Sequence, residues 1–188
     1  MDVRLHAATL ADFAPLLALM SLPAVCRFLS DGAPPTPELV TPWFDEAPAD
    51  ARDLGGGLWL AKTAGPGGGV SDPADAPALV GAVRLSRATD DELELTYLLH
   101  PDHWGRGLAT AMAHGALGRA FAAPRCASVM AGADAPNRAS IAVMERLGLT
   151  FRRSVRYPLG EGVEYAIERS VYDPGRLPSI PFEEESPA

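Results

Sequence analysis

Cysteine is nearly absent: Cys26 and Cys126 are the only two in 188 residues, far apart and in no CxxC pair. That excludes a disulfide framework and gives no zinc-ligand spacing, so no metal is expected and a reducing cytoplasm fits best. Positive charge is also short, with sixteen Lys and Arg against twenty-four Asp and Glu and a formal net charge of −8. Such a field repels polyanions and mildly attracts cations, which makes nucleic acid a poor expectation as partner. Long apolar runs are missing too. The nearest imitation of a targeting segment, Phe13 to Val25, has Asp2 and Asp12 where a signal peptide would be positive, and its periodicity is helical. No stretch reaches the roughly 18 to 20 apolar residues of a membrane span. No internal repeat is visible, and no strand leads into GxGxxG or GxxxxGK[ST], which argues against a nucleotide-binding α/β domain.

What is present is 47% hydrophobic and 21% charged residues, a balance that supplies a core for one globular domain. Val3 to Leu5 reads as a short strand. Thr9 and Asp12 then form a capping-box pattern ahead of a helix whose Leu10, Phe13, Leu16, Leu17 and Met20 share a face. Ser21 to Ala51 mixes short helical pieces with Pro34, Pro35, Pro37, Pro42 and Pro48 and reads as a second, irregular helical region. Leu58–Ala61 and Ala78–Leu85 are neighbouring strands joined by a long glycine-rich loop, and Glu92 to Leu99 alternates as a third. A helix from Leu108 to Phe121, a strand from Ala127 to Ala131, a helix capped by Asn137 and stopped at Gly148, and strands at 151–156 and 163–169 complete the order. Hairpins outnumber strand–helix–strand crossovers, which predicts a mixed α/β (α+β) domain over 1–172, its sheet mostly antiparallel and flanked by helices. The acidic, proline-containing tail at 173–188 is expected to be unpacked and flexible.

At Trp104-Gly105-Arg106-Gly107-Leu108-Ala109 a strand passes into a helix. The first helical N–H groups lack partners there and carry the positive end of the helix dipole, so an anion fits. Gly105 and Gly107 allow close approach and positive φ, and Arg106 adds a charged donor. Taken alone, the pair of glycines reads equally as an ordinary tight turn.

The longer segment from Glu94 to Thr110 resembles motif A of the GNAT acetyltransferase superfamily, specifically the branch of the ribosomal-protein alanine and serine N-acetyltransferases, and Asn137 to Leu149 resembles motif B of that branch. The resemblance extends loosely from Val3 to Arg169. It departs at Trp104, where the superfamily has Gln or Arg, at Thr96 for a usual Gly, and at Leu149 for a usual Phe; none of these removes a backbone donor. It implies an N-acetyltransferase that uses acetyl-CoA and a primary amine, either a protein N-terminus or a small amine. The cofactor-binding residues it implies are Leu98, Leu99, His100, Trp104, Gly105, Arg106, Gly107, Leu108, Ala109, Thr110, Asn137 and Ser140. Leu98 and Leu99 are expected to offer backbone N–H groups to the acetyl carbonyl and the pantetheine arm.

Acetyl transfer to an amine needs a free amine, donors for the oxygen that becomes negative, and a proton for the departing thiolate. Glu94 is the candidate base, with Glu92 in reserve and His100 and His103 ranked below. Glu94 reads otherwise as the polar face of a strand. The acid that the superfamily usually places seven residues after the motif B Asn is absent, because Met144 stands there. Ser140 is the candidate in its place, and reads equally as a helix cap. Arg27, Phe28, Trp43 and Phe44 lie in the region that usually walls the acceptor, and Tyr157 and Tyr165 in the closing strands. The alternative is a GNAT-like module that holds acyl-CoA without catalysis. No membrane partner is expected, and monomer and homodimer both remain open.

Overall fold

Alternation in the strands and apolar faces on the helices build three layers. The computed structural model describes residues 2–30, 32–63, 78–158 and 160–183. In chain order its elements are β1 (Val3–Ala7), α1 (Phe13–Met20), α2 (Pro23–Leu29), α3 (Pro37–Leu54), β2 (Gly57–Thr63), β3 (Leu79–Arg87), β4 (Glu92–Leu99), α4 (Leu108–Ala122), β5 (Ser128–Asp134), α5 (Arg138–Leu147), β6 (Thr150–Tyr157) and β7 (Gly160–Glu168). The seven strands form one sheet in the order β1-β2-β3-β4-β5-β7-β6. Every neighbouring pair is antiparallel except β4 and β5. The element order and the mostly antiparallel sheet are those that the sequence predicts.

Each sheet face has its own core. On one side Leu16, Leu19, Val25, Val40 and Phe44 of α1, α2 and α3 pack on Leu58, Leu60, Ala82 and Leu98. On the other, Met112, Ala116 and Leu117 of α4 and Ile141, Met144 and Leu147 of α5 pack on Leu85, Leu93, Leu95, Val129 and Ala131. Alternation along β4 sends Leu98 to the first core and Leu93, Leu95 and Leu99 to the second.

The observed structure differs from the expectations in three places. The irregular region is α2 followed by an 18-residue α3 that carries Pro42 and Pro48 internally. Both prolines sit on the exposed face, where water can take the carbonyls they leave free, while Val40, Phe44 and Leu54 bury the opposite stripe. Leu10 is 77% exposed, because it lies in the 3-10 turn Leu10–Asp12 and is out of phase with α1. Finally, the expected unpacked tail lies against the domain from Asp173 to Glu183. Ile180 is buried, Phe182 meets Trp59 edge-on, and Leu5 exchanges backbone hydrogen bonds with Pro181 and Glu183. The apolar side chains of this segment supply burial that its proline and acid content conceals. The glycine-rich loop at 64–77 and the acidic end at 184–188 lie outside the described residues. Among the described residues no single helix is long and apolar enough to cross a membrane, and the apolar run near the start is broken into two helical pieces bent by 94°.

Candidate functional site

β4 and β5 pair only at Glu92–Glu94 against Ser128–Met130. Beyond that they part, since β4 stays registered with β3 through Leu99 and β5 with β7 through Asp134. A cavity of about 680 Å³ occupies the opening. Residues of α2 wall it on one side of the sheet and those of α4 and α5 on the other, so it passes through the sheet.

Backbone groups face this gap in a fixed alternation. His100 N–H donates to the Val80 carbonyl at 2.8 Å and Ala88 N–H to the Glu92 carbonyl at 2.9 Å. Even-numbered residues of β4 therefore turn their N–H and C=O toward β3, and Tyr97 and Leu99, beyond the stretch paired with β5, turn theirs toward the gap. The Leu99 carbonyl accepts the Trp104 indole N–H at 3.0 Å. Of the two expected backbone donors, then, Leu99 turns its N–H toward the gap and Leu98 turns its own toward β3, although both residues line the cavity.

The glycine turn lies at one end of the cavity. Gly105 and Gly107 have φ of 73° and 76°, the left-handed region that favours glycine, and Gly107 is the N-cap residue of α4. A Cβ at either would meet no heavy atom within 4 Å, so backbone conformation, not crowding within the protein, selects glycine. The first-turn N–H groups of Leu108, Ala109 and Thr110 have no partners within the helix, and the buried Thr110 hydroxyl oxygen has none either. Trp104, Gly105, Gly107, Leu108, Ala109 and Thr110 all line the cavity. Arg106 and His100 do not. The Arg106 side chain is exposed, and the His100 ring turns to its own turn, accepting from the Asp102 N–H at 3.3 Å. His103 lines the cavity instead.

At the start of α5, Asn137 Oδ1 accepts the Ser140 N–H at 3.2 Å, a conventional cap. Ser140 Oγ lies 2.8 Å from the Tyr97 hydroxyl, which also stands 3.0 Å from the Ser140 carbonyl as a donor. Burial pushes the Tyr97 phenol up to about 12, against a small opposing effect of its Ser140 hydrogen bond. Asn137, Ser140 and Tyr97 all line the cavity. Tyr97 was not among the expected site residues. Its only signal is its place on the Leu93-Leu95-Leu99 face, which reads as core. Met144 is fully buried in that core.

Glu94 lies on the other face of β4 and lines the cavity from the α2 side, its carboxylate reached by solvent. Burial by the cleft walls raises its pKa, Arg84 opposes the rise, and Glu164 adds to it. The reserve base, Glu92, is not a cavity residue. Its carboxylate is held by Arg152 at 2.8 and 3.0 Å and by the Ser128 hydroxyl at 2.9 Å, a structural ion pair. Of the four expected acceptor-wall residues, Phe28 lines the cavity. Arg27 stacks on Phe28 and faces a neighbouring cavity of about 410 Å³. Trp43 packs under the Arg84 guanidinium, and Phe44 is core against Phe13. Tyr157 packs against Gly132 at the cavity wall, where no Cβ would fit, whereas Tyr165 turns to Glu145 and Phe151. Leu177 and Pro178, from the segment expected to be unpacked, also line the cavity. Among the described residues no cluster of His, Cys, Asp and Glu could hold a metal ion.

Residues 2–150 match the family model described as Acetyltransferase (GNAT) domain. Among solved structures, an aminoglycoside acetyltransferase in complex with coenzyme A superposes with a TM-score of 0.65 at 18% identity, over 90% of this chain and 96% of that one. Spermidine N-acetyltransferase from Vibrio cholerae, in complex with CoA and spermine, gives 0.69 at 14% identity over 90% and 96%. An acetyltransferase from Agrobacterium tumefaciens str. C58 gives 0.66 at 23% identity over 88% and 90%. With the family model covering most of the chain and the fold agreeing along its length, this protein belongs to the GNAT acetyltransferase family.

Proposed function

We propose that this chain transfers the acetyl group of acetyl-CoA to a primary amine, a small amine or a protein N-terminus, by direct attack. The observation that carries the reading is the cavity that crosses the sheet at the β4/β5 opening, with the backbone of Tyr97 and Leu99 turned toward it and the glycine turn and start of α4 along its lining. Family relatives with this fold are described with coenzyme A, and one of them with spermine, which supports the same pairing of substrates. Acetyl-CoA supplies the thioester carbonyl. In this assignment the turn from Gly105 to Thr110 receives the pyrophosphate, and the Leu99 and Tyr97 N–H groups face the pantetheine arm and the acetyl oxygen. Glu94 takes the proton released by the amine nitrogen as the C–N bond forms, directly or through one water. The C–S bond breaks with its electron pair going to sulfur, and the Ser140 hydroxyl hydrogen-bonds that sulfur. A serine hydroxyl is a weaker acid than a thiol of pKa about 8.5, so donation without full transfer suffices, and the thiolate takes its proton from solvent. The two groups lie on opposite faces of the sheet, which suits a nucleophile and a leaving group arriving from opposite sides.

The acidic balance of the chain and the carboxylates near the α2 side favour a cationic acceptor. The test is to supply the purified protein with acetyl-CoA and a panel of polyamines and N-terminal peptides and to follow free thiol release. Turnover with at least one amine is expected. Tight CoA binding with no turnover on any of them would leave a non-catalytic acyl-CoA module.

A further inference from the structure

Tyr97 has one hydroxyl proton and two acceptors within reach, both on Ser140: the carbonyl oxygen at 3.0 Å and Oγ at 2.8 Å. The choice between them decides where the serine proton goes. When Tyr97 donates to the carbonyl, its own oxygen is left as an acceptor, and the Ser140 Oγ–H turns to it and away from the cavity. When Tyr97 donates to Oγ, that oxygen is satisfied as an acceptor, and its proton is free to point at whatever lies in the cavity. Rotation about a single C–O bond interconverts the two.

We propose that Tyr97 is a positioning residue for acetyl transfer: its hydroxyl, by donating to Ser140 Oγ, holds the serine as a hydrogen-bond donor toward the departing sulfur. The inference rests on the acetyltransferase reading given above. Tyr97 reaches Ser140 from the opposite wall of the cavity, β4 facing α5, so the pair closes around the gap through which the cavity passes. Burial keeps the phenol protonated throughout the neutral range, which preserves it as a donor there. Asn137 already holds the Ser140 N–H, so backbone and side chain of this serine are fixed by separate partners and only the hydroxyl rotor remains to be set.

A purely structural role, tying β4 to α5, is the competing explanation, and kinetics separates the two. Tyr97→Phe keeps the ring and its packing and removes only the hydroxyl. In the positioning role, kcat falls about tenfold, the value of one lost donor hydrogen bond, while CoA affinity by calorimetry and the KM for the amine stay within twofold. Ser140→Ala should lower kcat by a similar factor. The double variant should be no slower than Ser140→Ala alone, because Tyr97 acts only through that hydroxyl. Melting curves on all three report whether the fold is kept. An unchanged kcat in Tyr97→Phe, or a double variant slower by the product of the two single effects, overturns the role and leaves the acetyltransferase reading standing. A wild-type protein that transfers acetyl to no amine overturns that reading, and this role with it.

Discussion

Glu92 and Glu94 stand two positions apart, and alternation turns both to the same face of β4. Glu92 is ion-paired with Arg152 and accepts a hydrogen bond from Ser128, whereas Glu94 is left in the cleft wall with a raised pKa. Glu94→Gln is expected to lower kcat/KM with an amine about 100-fold and to remove the acid limb of its pH profile, a limb lying above the ordinary carboxylate range in the wild type. A variant that keeps that limb would point to another base. Stability should move the other way. Because the folded state holds the Glu94 proton more tightly than the unfolded chain, ionising it costs stability, a cost absent below the unfolded pKa and complete above the folded one. Glu94→Gln should therefore raise the melting temperature at about pH 8 and leave it unchanged at about pH 4. For the neighbouring pair, Arg152→Ala strands the Glu92 carboxylate and should destabilise by about 1–3 kcal/mol in chemical denaturation, with kcat per folded molecule unchanged. Alternation alone does not separate the two glutamates, as it gives a face and not a partner; the ion pair closes over sixty positions of chain. Tyr97 was hidden by the same rule in reverse, since a tyrosine among leucines on one face reads as core.

Of the elements, the glycine turn and α4 were the most legible, because the physics that shapes them is local: a strand end, two residues with positive φ and a helix start within a few positions. Gly107→Ala places a side chain at φ 76° and should cost about 1 kcal/mol in thermal or urea denaturation. The added methyl meets nothing in the protein itself, so any further loss, expected as a weakening of CoA binding by about tenfold in calorimetry, reports on the ligand's own approach to the backbone. Unaltered CoA affinity would place the pyrophosphate elsewhere. Helix α3 was the least legible. Its two internal prolines read as breaks, yet Pro42 and Pro48 both fall on the exposed face, and the buried stripe of Val40, Phe44 and Leu54 continues past them. Proline reports a missing donor, and only the tertiary setting decides whether that donor is needed.

At the scale of the molecule, the segment from Asp173 to Glu183 closes the structure outside the stretch that the family model matches. Its contacts join β1, α4, α5 and the cavity wall: Ile180 N–H to the Ala111 carbonyl, Arg176 to the Arg146 carbonyl, Arg119 over the Phe182 ring, and Leu177 and Pro178 beside the cavity. Composition hid this, because two or three well-placed apolar residues outweigh a proline-rich, acidic average. Ile180→Ala should destabilise the whole domain by about 3 kcal/mol in a single cooperative transition and weaken CoA binding as well. A separate low-temperature transition with intact CoA affinity would mean that the segment folds apart from the site. The hydrogen bonds it makes to Leu5 have a colloidal consequence as well. β1 is the end of a seven-stranded sheet, and Leu5 turns its N–H and C=O outward, where Pro181 and Glu183 occupy them. The opposite end, β6, presents exposed Arg152, Arg153 and Arg156 and is guarded by charge. β1 is guarded more thinly: exposed Arg4 is its one Arg or Lys, set between the buried Val3 and Leu5. Chains in which this segment has come loose would expose an adhesive strand edge, and their first failure would be self-association before unfolding.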